Sequence, residues 1–326
     1  VWHGGDGFEA FEENIGRFLS EYGMQSFPEM RTIMKFAEEK DLDINSKVMK
    51  ARQKASLGTG NLIKYIEDYF LPQTDFRSIV VLSQIMQAFA IKAAVEIHRR
   101  SMPFCMGTLY WQFNDCWPAI SWSSVDYFGN WKALHYHAKR FFNEVIIVIH
   151  EKEERIHISV INDKHKKVDS RIQLQLSTFE GFMLYEKTFD YTITEASSKE
   201  VYSFEKKRYL KDRALSDLFI HAEICKDKKV VCNNKYYFVV PKDLNLPASN
   251  FNYEVKKVGE MISIRIHALS FVYQLYVTCN NADGIFSDNF FDLLAGETIT
   301  INFIPSEKSI DLKYDFSLNT AMDISA

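Results

Sequence analysis

Residues 17–30 read Arg17-Phe18-Leu19-Ser20-Glu21-Tyr22-Gly23-Met24-Gln25-Ser26-Phe27-Pro28-Glu29-Met30. The run 17–22 reads as a strand. It feeds Ser26-Phe27-Pro28-Glu29, an S-x-x-E capping box with proline in the first turn, and then a helix with Met30, Ile33, Met34 and Ala37 on one face. Helices are predicted again over 61–70 and 75–100, the second with Ile79, Leu82, Met86, Phe89 and Ala93 along one stripe. Residues 104–113 read as a strand and 131–142 as a helix. Strand–helix alternation implies a parallel sheet or a (β/α) barrel. Because a whole barrel takes roughly 250 residues, residues 1–143 would be the closing part of one.

Past residue 144 the apolar period drops to two. Ile156, Ile158 and Val160 alternate with His157 and Ser159, and Ile172, Leu174 and Leu176 alternate with Gln173 and Gln175. Further strands are expected over 184–189, 219–225 and 236–240. The stretch 241–247, with Pro241 and Pro247 at its ends, breaks the pattern as a linker. Alternation resumes at Ile262, Ile264 and Ile266, then over 271–278, 298–303 and 310–316. The expected domains are therefore 1–143, a β-sandwich over 144–247 and a second β-sandwich over 248–326.

Composition narrows the function classes. The 326 residues are 47% hydrophobic with only 13 glycines and 7 prolines, which excludes disordered and collagenous chains. A net charge of -4 with scattered basic residues leaves no footprint for nucleic acid. The 5 cysteines are odd in number and form no C-x-x-C pair, against a disulfide scaffold or a zinc site. No uninterrupted apolar run reaches membrane-spanning length, so no membrane partner is expected. The chain opens on Val1-Trp2-His3 rather than methionine and reads as cut from something longer.

Two segments could carry chemistry. Glu21 ends a strand before a loop, which is where a barrel places its active site; a solvated glutamate at a strand edge meets the same description. Gly107-Thr108-Leu109-Tyr110-Trp111-Gln112-Phe113-Asn114-Asp115-Cys116-Trp117-Pro118, followed by Trp122, Asp126 and Trp131, interleaves indoles with amides and carboxylates. Sugars present apolar C–H faces and hydroxyl edges, so flat rings plus hydrogen-bonding groups suit them. A tryptophan-rich core is the structural alternative, and Trp131 fits it best. Trp2, His3, Gly4 and Gly5 form a polar aromatic loop able to line a cleft, although a lone loop histidine is usually just solvated. His135 and His137, two apart on a helix, do not face each other and read as structural. Gly58-Thr59-Gly60 reads as a turn, and no G-x-S-x-G serine site is present.

At Val1-Trp2-His3-Gly4-Gly5, at residues 18–28 and across Gly107 to Tyr136, the chain resembles the C-terminal part of glycoside hydrolase family 2, most closely its β-mannosidases. Pro241-Lys242-Asp243-Leu244 and residues 284–293 are similar to that family's sandwich domains. The resemblance implies a multidomain chain: the C-terminal portion of a (β/α)8 TIM barrel followed by two immunoglobulin-like β-sandwich domains. It implies a retaining exo-β-mannosidase acting on terminal β-D-mannosyl residues of a glycan, with no cofactor and no metal. Glu21 would be the nucleophile, Trp111 the wall of the mannosyl subsite, and Asn114, Asp115, Trp117 and His3 neighbouring binding residues. A periplasmic, secreted or lysosomal parent is compatible with it.

Retaining glycosidases need a second carboxyl group about 5–5.5 Å from the first. In this family it belongs to an Asn-Glu pair on an earlier strand. Here the only such pair is Asn143-Glu144, at the junction with the first sandwich. The isolated chain is thus expected to be inactive, with Asp115 a poor substitute acid. Two alternatives stand beside the mannosidase reading: a non-catalytic carbohydrate-binding or structural module, and a related β-galactosidase or β-glucuronidase. An unclosed parallel sheet would also favour self-association.

Overall fold

A computed structural model describes residues 7–210, 213–307 and 313–325. Its first half is built around five helices: α1 (Met30–Ile33), α2 (Lys47–Arg52), α3 (Gly58–Tyr69), α4 (Phe76–Arg100) and α5 (Ala133–Phe141). The predicted helix after Ser26 shrinks to the single turn α1. Ser26 is not its cap: Glu29 takes that position without a side-chain bond, and the Ser26 hydroxyl instead donates to Gln87 Oε1 on α4 at 2.8 Å. Gly58-Thr59-Gly60 is the first turn of α3, not a free turn.

α4 has the terminal chemistry its length demands. The Asp75 carboxylate accepts from the Ser78 amide at 2.8 Å, and His98, Arg99 and Arg100 sit at the negative end of the helix dipole. Burial extends well beyond the predicted stripe, with Val80, Ile85, Ala88, Ile91 and Val95 enclosed as fully as Leu82. By length and composition α4 could cross a membrane, which corrects the expectation that no segment could. Here 72% of its most apolar window is buried inside the protein.

Residues 17–22 and 104–111 do run parallel, joined at a Leu19/Thr108 bridge, but among the described residues no barrel closes around them. The remainder is β-sheet. Strands β1 (Val145–Lys152), β2 (Arg155–Asn162), β3 (Val168–Thr178), β4 (Met183–Ile193), β5 (Ser197–Glu205), β6 (Leu218–Lys226) and β7 (Lys229–Tyr237) form sheets ordered β1-β2-β5 and β4-β3-β6-β7. Ile156, Ile158, Ile172, Leu174, Ile220 and Ile224 interdigitate between them, as period-two alternation requires. Strands β8 (Phe251–Val258), β9 (Met261–Ala268), β10 (Val272–Cys279), β11 (Gly284–Phe286), β12 (Phe291–Leu293), β13 (Thr298–Pro305) and β14 (Phe316–Asn319) form sheets β11-β13-β9-β8 and β12-β10-β14. Both units are immunoglobulin-like sandwiches.

The second sandwich does not keep a core of its own. Ile264, Tyr273 and Phe303 belong to one continuous apolar cluster with Leu82, Leu134 and Phe141 of the helical half. Two arginines fix this contact from the helical side. Arg31 donates to the Ala282 carbonyl and the Asp283 carboxylate at 3.1 Å. Arg140 donates to Asp288 at 2.5 Å and to the carbonyls of Asn289 and Phe290 at 3.1 and 2.6 Å.

Candidate active site

The parallel pair is tied by backbone bonds from Met106 N to Arg17 O (2.9 Å), Leu19 N to Gly107 O (2.9 Å), Leu109 N to Leu19 O (2.8 Å) and Trp111 N to Tyr22 O (2.8 Å). Side chains alternate across such a pair. Tyr22 and Thr108 share the face toward α4, where their hydroxyls meet at 2.6 Å. Glu21 immediately precedes Tyr22, and Trp111 immediately follows Tyr110, the residue that the last of these bonds sets opposite Tyr22. Glu21 is exposed, and among the described residues its carboxylate has no hydrogen-bond or ion-pair partner. Trp111 is 48% exposed, an uncommon state for an indole that a core could have absorbed.

Gly23 permits the close approach of the two segments. A Cβ at that position would lie 2.3 Å from the Trp111 carbonyl oxygen and 2.9 Å from the Trp122 ring. The loops beyond the strands are anchored to α4. Gln87 accepts from Ser26 and donates to the Met24 carbonyl at 2.8 Å and the Ser123 carbonyl at 3.3 Å. Ser83 accepts from the Phe27 amide at 3.0 Å. One buried amide thus holds the segment after Glu21 and the loop after Trp111 together.

Asp115 is buried and already engaged, accepting from Ser123 at 2.6 Å and Gln112 at 3.3 Å. That satisfied geometry suits a strut of the loop better than a proton donor. Asn114 is exposed, and its backbone pairs with Val125. Trp117 is 37% exposed beneath two cations, Arg52 at 4.7 Å and Lys54 at 3.8 Å, so it associates with the end of α2 and not with the strand pair. His3 and Trp2 lie outside the described residues. Trp131 packs against His135 and Tyr136 as a structural ring. His135 and His137 bond separately to Ser124 and Gln274, and burial lowers both imidazoles' pKa. Among the described residues no three potential metal ligands converge.

Beneath the loop lies a charge cluster that sequence reading did not find. Lys132 is fully buried, and burial pulls its pKa down to about 8 against the opposing pull of Asp115, Asp126 and Glu29. Glu29 is pushed up to about 7 by desolvation, with Arg31 opposing. Asp126 accepts from Thr32 at 2.5 Å and from the amides of Phe128 and Asn130 at 3.0 Å, joining α1 to the tryptophan-rich loop. Glu29 also lines a cavity of about 80 Å³ between the helical half and the second sandwich, with Gln84, Tyr136 and Tyr276. Nothing in the local pattern around Lys132 marks it as buried.

Similarity to known proteins agrees with this layout. The profile of the Mannosidase Ig/CBM-like domain matches residues 154–243, and that of a mannosidase Ig-fold domain matches 246–324. The β-mannosidase of Mus musculus is 27% identical over 94% of this chain and 37% of its own length. The β-mannosidase A of Aspergillus terreus is 26% identical over 93% and 37%. The crystal structure of the β-D-mannosidase from Dictyoglomus thermophilum superposes with a TM-score of 0.89 at 30% identity, covering 98% of this chain and 39% of that one. The exo-chitosanase CsxA of Amycolatopsis orientalis, at 15% identity and a TM-score of 0.76, shares the fold. The chain spans less than two-fifths of the length of the β-mannosidases it matches. With both sandwich profiles matched and these similarities running along nearly its whole length, the chain belongs to the β-mannosidases of glycoside hydrolase family 2.

Proposed function

We propose that the protein carrying this chain is a retaining exo-β-mannosidase with Glu21 as its nucleophile. The observation that carries this reading is an exposed carboxylate, without a partner among the described residues, one residue away from the backbone bond that ties the exposed Trp111 to Tyr22. Glu21 attacks the anomeric carbon of a terminal β-mannosyl residue. The aglycone oxygen leaves with a proton from a general acid, and an α-mannosyl ester forms. The conjugate base then deprotonates a water that attacks the same carbon, releasing β-mannose and regenerating Glu21. This two-carboxylate chemistry calls for no metal or organic cofactor.

The general acid/base comes from polypeptide outside these 326 residues. Glu144, the glutamate of the only Asn-Glu pair, is taken by Lys164 at 3.2 Å beside β1. Residues 17–22 and 104–111 would then be neighbouring strands of a (β/α)8 barrel whose other strands lie outside this chain. Unclosed, their free edges favour self-association. Trp111 stacks against the mannosyl ring, and Asn114, Asp115, Trp117 and His3 shape the surrounding loops.

Hydrolysis of an aryl β-mannoside by the protein with a complete barrel tests the reading. We expect turnover with β-mannose as first product, loss of about 10³-fold or more in Glu21→Gln, and no turnover by residues 1–326 alone. Faster cleavage of an aryl β-galactoside or β-glucuronide would reassign the sugar, and wild-type turnover in Glu21→Gln would remove the nucleophile. The Ig/CBM-like description of the profile matching residues 154–243 supports a second reading, a carbohydrate-binding module without catalysis. Retention of the isolated chain on mannan together with inactivity of the protein with a complete barrel would favour it.

A further inference from the structure

Next to Glu21, on the α4 side of the paired segments, three polar side chains form a chain that the nucleophilic chemistry does not itself require. The Tyr22 hydroxyl meets Thr108 Oγ1 at 2.6 Å, and Thr108 Oγ1 meets His98 Nδ1 at 2.8 Å. The Tyr22 ring stands edge-on to the His98 imidazole with centroids 5.0 Å apart, and Phe11 closes the same nook against both rings. His98 is 2% exposed in the last turn of α4. These contacts join the residue after Glu21, the strand beside it and the helix behind it.

The chain has one arrangement that uses each hydroxyl fully. Burial pulls the His98 imidazole down to about 4 and pushes the Tyr22 phenol up, so near neutral pH the imidazole is unprotonated and the phenol keeps its proton. Tyr22 O–H then donates to Thr108, and Thr108 O–H donates to the Nδ1 lone pair of His98. Both hydroxyl protons and the Nδ1 lone pair are thereby used. An apolar contact would hold the strands together without defining their depth; two directional bonds ending on a 25-residue helix define it.

We propose that His98, through Thr108 and Tyr22, is a positioning residue that sets the height of Glu21 against the anomeric carbon. This rests on Glu21 being the nucleophile. A displacement of about 1 Å at a reacting atom can cost on the order of 10²-fold in rate, while leaving ground-state binding nearly intact. The signature is thus a fall in kcat without a matching rise in KM.

The test uses the protein with a complete barrel, an aryl β-mannoside and a 2-deoxy-2-fluoromannosyl fluoride that traps the ester. His98→Phe removes the acceptor in a ring of similar size, His98→Asn restores an acceptor near the Nδ1 position, and Tyr22→Phe deletes one oxygen and spares the packing. We expect His98→Phe and Tyr22→Phe to lower kcat and the trapping rate together by about tenfold or more with KM within about twofold. His98→Asn should recover most of that loss. Trapping of Glu21 at the wild-type rate in both His98→Phe and Tyr22→Phe would overturn the positioning role alone. So would a His98→Asn no better than His98→Phe. If His98→Phe does not fold, Tyr22→Phe decides by the same rates. Absence of label on wild-type Glu21 would instead remove the nucleophile, and the positioning role with it.

Discussion

The amide of Trp111 donates to the carbonyl of Tyr22 across 2.8 Å, which locks the residue following Glu21 beside the residue bearing the exposed indole. Neither side chain makes this contact. The spacing of carboxylate and ring is a property of two backbones, and it changes only if the strands slide or part.

Gly23 is the residue that lets them lie so close. Gly23→Ala brings a methyl group against the Trp111 carbonyl, where backbone and not a flexible side chain must give way. Overpacking of this kind costs about 1–3 kcal/mol. Urea denaturation of the chain should show that loss, while Gly60→Ala, which meets open space, should not.

Lys132 lies buried within electrostatic reach of Asp115, Asp126 and Glu29 and donates to the Ser121 carbonyl at 3.5 Å. Lys132→Met removes the buried cation that Asp115, Asp126 and Glu29 act on, and a loss of about 3–5 kcal/mol at pH 7 is expected. The loss should shrink toward pH 5 as Glu29 takes up its proton. Denaturation midpoints of the variant and wild type at the two pH values check both statements.

Glu29 makes stability fall with rising pH. Its pKa is raised in the folded protein from an ordinary 4.5 to about 7, so between those values the folded state binds more protons than the unfolded state. The contribution is present below pH 4.5 and is lost as pH rises through 7. Glu29→Gln should flatten that part of the stability profile, which the difference between the two proteins' profiles across pH 4.5–7.5 measures directly.

Arg140 fastens α5 to the second sandwich with bonds to one carboxylate and two carbonyls. Arg140→Leu should cost about 2 kcal/mol. It should also raise the rate of limited proteolysis within residues 284–293, which an unchanged cleavage pattern would contradict.

What the chain revealed before its structure depended on how local each signal was. Ile172, Leu174 and Leu176 announce β3 because one face of that strand is wet. β1, whose residues from Val145 to Ile149 are all buried, has no alternation to read. Ser26 carried every local mark of a cap, yet its hydroxyl is claimed by Gln87, 61 positions away. Glu21 and Trp111 were legible as residue types at strand ends. Their adjacency follows from a parallel pairing of backbones that no local pattern specifies. Lys132 stayed hidden because the carboxylates that act on it, Glu29, Asp115 and Asp126, are brought to it by the fold and not by sequence spacing.

The most direct test is to treat the protein with a complete barrel with 2-deoxy-2-fluoromannosyl fluoride, digest it, and locate the modified peptide by mass spectrometry. A fluoromannosyl ester on Glu21, formed with the loss of activity and absent from Glu21→Gln, is the predicted result. Label on a different carboxylate, or inactivation with Glu21 unmodified, would contradict it.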